Sequence, residues 1–133
     1  LIAFDTNVLV RYFAQDDREQ SACANRLVEA RTRDDPGFVS TVVLVELCWV
    51  LSRRYGKSAT DILAILDGML LTDALKLEGA SDVRQAIRLA ERTGSDFPDA
   101  LIAVRATAEG CDGVYTFDVH AIRAGFMRAA DLA

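Results

Sequence analysis

Leu1-Ile2-Ala3-Phe4-Asp5-Thr6-Asn7 opens the chain, and its reading decides the fold. Four apolar residues in a row read as a short strand buried on both faces, and such a strand is usually a central one. Three polar residues follow, and Val8-Leu9-Val10 then leads into a helix. Asp5 is therefore expected at the carboxyl end of a strand, where open α/β sheets place their ligands. The competing reading makes Asp5 or Thr6 only the N-cap of the helix that follows.

Outward from that stretch, strands alternate with helices. A short apolar helix covers Val8–Phe13. Asp16-Asp17-Arg18-Glu19, with an acid three residues after Asp16, opens another that runs to about Arg33. Asp34-Asp35-Pro36-Gly37 is a turn, and Phe38–Ser40 a second strand. Thr41–Arg54 reads as a helix by its length, although its valines also suit a strand. Gly56 stops it, and Arg53 and Arg54 suit the negative end of the helix. Ser58 caps a helix over Ala59–Leu71, Ala74–Leu77 is a third strand, and Ser81 caps a helix ending at Gly94. Ser95–Asp99 starts the sixth helix, with Pro98 in the first turn, where its missing N–H costs nothing, and Gly110 ends it. Gly113–Phe117 is a fourth strand, Asp118 begins a short helix to Ala124, and a fifth strand lies near Phe126–Met127. The alternation predicts one α/β domain over residues 1–133 with a mostly parallel sheet.

The bulk numbers narrow the function. A chain of 133 residues with 51% apolar content forms one core and is not disordered. The net charge of −5 argues against gripping nucleic acid through a general basic surface, but not against an enzyme whose acids are neutralised by metal. Cys23, Cys48 and Cys111 show no CxxC spacing and read as buried thiols in a reducing compartment, which points to the cytoplasm. His120, the one histidine, argues against a His-rich metal site and reads as a surface polar group. No signal peptide and no membrane-spanning apolar run is visible. A chain opening at Leu1 is expected to lack a few residues, the initiator among them.

Four acids stand out. Glu46 interrupts an apolar run from Val42 to Leu51, where an ionised carboxylate is costly unless paired, with Arg11 or Arg105 for example, or coordinated. Asp99 falls in a helix first turn and Asp118 directly after a strand. Each has an ordinary structural explanation, helix dipole for the one and N-cap for the other. Asp96 reads as a cap alone. With Asp5, however, the acids all map to the carboxyl edge of the sheet. Bare carboxylates so gathered repel one another, and a hard cation such as Mg²⁺ or Mn²⁺ resolves that. Thr6, Asn7 and Thr116 are candidates to hydrogen-bond the ligands or metal-bound water. Such a site suits metal-assisted hydrolysis of a phosphodiester.

Four segments, DTNVLVRYF from Asp5, VVLVELCWVL from Val42, DFPDALIA from Asp96 and VYTFDVHA from Val114, closely resemble the PIN domain, specifically the VapC-type toxin ribonucleases. Each segment is weak alone. All four come in register, with their acids about 40, 50 and 20 residues apart. The resemblance implies a PIN-like three-layer sandwich with a five-stranded parallel sheet in the order 3-2-1-4-5, flanked by helices. It implies a Mg²⁺- or Mn²⁺-dependent endoribonuclease with Asp5, Glu46, Asp99 and Asp118 as catalytic metal ligands. It also implies a homodimer and inhibition by a cognate VapB-type antitoxin. Tyr12, Phe13, Ile62, Leu66 and Met69 exceed what one core-facing stripe needs and are expected to line the antitoxin or dimer contact. A haloacid-dehalogenase-like phosphatase and a receiver-like phosphoacceptor using Asp5 are rivals. The first wants an Asp where Asn7 stands, and the second a lysine later than Lys76.

Overall fold

The computed structural model describes residues 1–132. The chain divides into two compact units, Leu1–Ala80 and the chain from Ser81 onward.

The first unit is built on β1 (Ile2–Ala3), β2 (Gly37–Val39) and β3 (Leu75–Leu77), all parallel, in the order β1-β2-β3. Four helices connect them: α1 (Thr6–Ala14), α2 (Arg18–Glu29), α3 (Thr41–Arg53) and α4 (Ala59–Leu71). Ser58 caps α4 as expected, its Oγ accepting from Asp61 N at 3.1 Å. Ser40, expected to end the second strand, instead caps α3, its Oγ accepting from Val43 N at 3.3 Å. At α2 the cap is Asp17 rather than Asp16, and the helix ends at Glu29 rather than near Arg33. The core lies under Leu9, Leu44, Leu47, Leu51 and Leu66, all with no solvent exposure.

The opening strand differs from expectation. Ile2 and Ala3 are both exposed, and the buried residue of the segment is Phe4. Among the described residues β1 pairs with β2. Phe4 N donates to Phe38 O at 3.0 Å, and the Phe4 ring lies so close over β2 that a Cβ on Gly37 would collide with it. The glycine of the Asp-Asp-Pro-Gly turn thus serves close approach as well as turning.

The second unit holds α5 (Ala80–Thr93), α6 (Phe97–Ala108), β4 (Tyr115–Thr116), α7 (Val119–Ala124), β5 (Arg128–Ala129) and a closing 3₁₀ turn (Ala130–Leu132). Ser81 lies inside α5 rather than capping it. β4 and β5 pair in parallel, with Tyr115 opposite Arg128. The fifth strand is Arg128–Ala129, two residues beyond the expected site, and Met127 just before it is buried in the core. Among the described residues the strand pairings run β1-β2-β3 in the first unit and β4-β5 in the second.

The cysteine expectation is also corrected: Cys48 is buried, but Cys23 and Cys111 are exposed. Cys23 lies on an exposed face of α2, and Cys111 follows α6 between Gly110 and Asp112. No helix among the described residues is long and apolar enough to cross a membrane.

A polar network ties the α1–α2 corner to the chain after α3. Arg11 Nη1 lies 3.1 Å from Asp16 Oδ1 and donates to Tyr55 OH at 3.1 Å. Tyr55 OH donates to Asp16 Oδ2 at 2.6 Å. The Tyr55 hydrogen bond, then the Arg11 charge, holds the Asp16 carboxyl below the usual carboxylate range. Its contribution to stability is therefore present above the ordinary carboxylate pKa and lost as pH falls through the lowered one. Tyr55→Phe is expected to melt below the wild type at neutral pH, the gap closing on acidification. Thermal melts from near neutrality to below about pH 3 check this.

Candidate functional site

In the first unit, Asp5 occupies the N-cap position of α1, with extended φ −79° and ψ 161°. Its backbone carbonyl accepts from Val8 N at 3.1 Å, but its side chain makes no capping bond. The carboxylate is exposed. The N-cap explanation thus accounts for the position of Asp5 but not for its acid. The next residue, Thr6, is buried, and its Oγ1 donates to Glu46 Oε2 at 3.3 Å. Thr6 so joins the start of α1 to the middle of α3. Asn7 is exposed one residue on.

Glu46 is not the buried charge its apolar surroundings suggested. α3 turns Val43, Leu44, Leu47, Cys48 and Leu51 inward. Val42, Glu46 and Trp49 share the outer face, at the i, i+4, i+7 spacing of one helix side. Val42 is 66% and Trp49 53% exposed, and Arg53 stacks over the Trp49 ring at 3.9 Å. An apolar residue beside Glu46 in sequence therefore does not desolvate it. The suggested ion-pair partners are engaged elsewhere, Arg11 with Asp16 at 3.1 Å and Arg105 with Asp82 at 2.6 Å.

In the second unit three acids converge. Asp96 caps α6, accepting from Asp99 N at 3.0 Å. Asp118 caps α7, its Oδ1 accepting from His120 N at 2.8 Å and Ala121 N at 3.3 Å. Thr116 Oγ1 accepts from Asp118 N at 3.0 Å, so Thr116 holds the backbone of that acid in place. Burial first, then the charges of Asp96 and Asp118, pushes the Asp99 carboxyl above the usual range. Asp96 is the α6 cap that the sequence predicts, and its charge also acts on Asp99. The signal was the Asp-x-Pro-Asp spacing, which puts two acids on one helix start. His120 is exposed and engaged here through its backbone.

A group whose folded pKa is raised contributes stability that is present below its ordinary pKa and lost as pH rises through the raised one. Asp99→Asn is therefore expected to match or exceed the wild type near neutral pH. The gain stays within about 1 kcal/mol because the group is largely solvated. The wild type should draw level on acidification. Urea unfolding at two pH values measures it, and a loss of stability at neutral pH would count against the repulsion.

Among the described residues, no three His, Cys, Asp or Glu side chains stand close enough together to hold a metal ion. The expected ligands divide between the units, Asp5 and Glu46 in the first, Asp99 and Asp118 in the second. By chemistry the donors suit a hard dication: all are carboxylate oxygens, and Asp99 carries the repulsion that a cation relieves.

The expected contact residues separate into two kinds. Tyr12 and Phe13 are half-buried, their rings edge-on at 5.2 Å and 85°. With Ile65, Gly68 and Met69 they line a cavity of about 420 Å³. Ile62, Leu66 and Met69 are 6%, 0% and 2% exposed. Ile62 and Leu66 are core side chains of α4, covered by the first unit itself, while Met69 is buried at the wall of the Tyr12–Phe13 cavity.

The PIN domain family matches residues 2–127, and the chain belongs to that family. It is 25% identical over 122 residues to a VapC ribonuclease of Aquifex aeolicus (strain VF5), a match covering 92% of this chain and 90% of that one. It also matches the crystal structure of Mycobacterium tuberculosis VapC20, titled a sarcin-ricin loop cleaving toxin. There the identity is 24%, the coverage 96% of this chain and 97% of that one, and the TM-score 0.46. The resemblance to VapC-type PIN proteins read from the four acidic segments is borne out.

Proposed function

We propose that this chain is a divalent-metal-dependent endoribonuclease, the toxin of a VapBC-type pair, that hydrolyses RNA phosphodiester bonds and is neutralised by a VapB-type antitoxin. The observation that carries the reading is the PIN match over residues 2–127, which spans all four acids. The VapC ribonuclease relative supports RNA as the substrate. Asp5, Glu46, Asp99 and Asp118 are the proposed ligands of Mg²⁺, with Mn²⁺ as a substitute. The finer architecture belongs to the same proposal: one PIN-like domain with strand order 3-2-1-4-5, of which β3-β2-β1 and β4-β5 are the two parts. So do a homodimer, a cytoplasmic location, and Tyr12 and Phe13 as antitoxin contacts.

When bound, the cation supplies an activated water and offsets the charge that develops on the phosphate. The chain's own residues do the rest. Thr6 holds Glu46 through its hydroxyl, and Thr116 holds the backbone of Asp118. Asp5 keeps its carboxylate uncommitted at the helix start. Burial and the charges of Asp96 and Asp118 raise the Asp99 carboxyl above the usual range, a penalty that a bound cation would relieve.

The test is cleavage of a mixed-sequence RNA by purified protein, after chelation and after adding back Mg²⁺ or Mn²⁺. Activity should vanish with chelator and return with either ion. Undiminished cleavage in chelator would remove metal from the mechanism.

A further inference from the structure

We infer that the second unit carries a cationic groove that holds the phosphate backbone of a single RNA strand. This rests on the ribonuclease reading for the identity of the polymer, but on separate observations for the groove. α5 buries Val83, Ala86, Ile87 and Ala90. Arg84, Arg88 and Arg92 recur every fourth residue away from that stripe, and all three are exposed and line a cavity of about 890 Å³. Each four-residue step advances the row by about 6 Å along the helix. Arg128, from β5, lines the same cavity.

Arg128 is seated there by the fold. Its backbone N donates to Val114 O at 2.8 Å. Its guanidinium lies against Gly113, where a Cβ would stand 3.1 Å from both Nε and Cζ. The absence of a side chain at Gly113 makes the room. Half-buried Leu89, Val104 and Phe126 give the cavity an apolar lining on which base faces can rest.

The charge balance favours an anion. The chain is net negative, yet four of the six arginines after Ala80 line this one cavity, and no lysine follows them. The acids on its wall are Asp82 and Asp112, and Asp82 is held by Arg105 at 2.6 Å. Arg88 also meets Glu91 at 3.3 Å on the surface, so the row's charge toward an anion rests on Arg84, Arg92 and Arg128. A phosphate backbone carries one charge per nucleotide at a regular interval and suits a regular arginine row better than an acidic peptide does. The row also has a direction. Arg92 precedes by four residues Asp96, the cap of the helix whose first turn bears Asp99. A strand lying on the row is led toward the acids of this unit.

The experiment measures binding apart from cleavage. A fluorescently labelled, mixed-sequence single-stranded RNA is titrated with the protein in chelator, across a series of salt concentrations, by anisotropy. The double variant Arg84→Glu/Arg92→Glu should bind about tenfold or more weakly at low salt. For single strands each lost phosphate contact lowers the salt slope by about 0.7, so the double variant Arg84→Gln/Arg92→Gln should lower it by about 1.4. Arg128→Gln should act in the same direction. Arg18→Glu/Arg33→Glu, the same charge change placed in the first unit, should leave binding near wild type. Asp118→Asn should lose cleavage and keep binding. Unchanged affinity and slope in the arginine variants, with cleavage intact, overturns the groove and leaves the nuclease reading standing. Binding of polyglutamate as tight as RNA, lost in the same variants, overturns the assignment to RNA. A wild type that neither binds nor cleaves RNA overturns both.

Discussion

Asp5→Asn should cut the rate of RNA cleavage by about a hundredfold or more while the protein stays folded. A metal's charge stabilisation in such a reaction is worth several kcal/mol, and each 1.4 kcal/mol or so is a factor of ten in rate. The stability side of the prediction follows from geometry. The Asp5 carboxylate is exposed and makes no capping bond, so nothing in the fold depends on its charge. Asn adopts the same extended N-cap backbone and is as good a cap as Asp. The change in stability should therefore stay within about 0.5 kcal/mol. Single-turnover cleavage and a thermal melt on the same sample read the two halves. Cleavage within a few-fold of wild type would take Asp5 out of the site. The same substitution at Asp118 is a weaker probe, because that acid also caps α7 and a change there acts on both structure and chemistry.

Leu66→Ala is expected to destabilise the protein by about 2–5 kcal/mol, the range for truncating a fully buried leucine. Leu66 has no exposed surface and sits on the inner side of α4. Leu71→Ala, on the last residue of the same helix and 80% exposed, should change stability by less than about 0.5 kcal/mol. Urea unfolding of the two variants makes the comparison. The pair discriminates between two uses of one apolar helix. If Leu66→Ala leaves stability intact but abolishes association with another chain, α4 is an interaction surface after all. If it behaves as expected, any antitoxin or dimer contact lies at the Tyr12–Phe13 cavity or elsewhere.

α4 also shows why some features could be read from residue order and others could not. Its start at Ser58 and its end at Leu71 fall where the sequence put them, because a cap depends on a hydroxyl and an amide three residues apart. Its inner face was not readable. Apolar residues occur on more than one side of it, so no single stripe marks the direction of the core. Which leucine is buried depends on α3 and β3, neighbours distant in the chain. α5, with one clean stripe at Val83, Ala86, Ile87 and Ala90, posed no such difficulty.

The acids divide in the same way. Residue order alone sufficed to find them, since strand, turn and helix start are local features and each acid stands at such a junction or one turn within a helix. Residue order also carried the family, because the four segments recur in register over nearly the whole chain. What each carboxylate does is a matter of tertiary structure. Asp5 stands at an N-cap without capping, while Asp96 and Asp118 cap with their side chains. Glu46, in the most apolar stretch of the sequence, faces outward and meets Thr6 from a helix forty residues earlier. Asp99 is pushed up by burial and then by two acids, one of them nineteen residues away. Caps and turns are decided by atoms a few bonds apart, so the local sequence places them to within a residue or so, as at Asp17 beside the expected Asp16. Solvation and charge at a side chain are sums over whatever the fold brings near, and only the folded chain decides those.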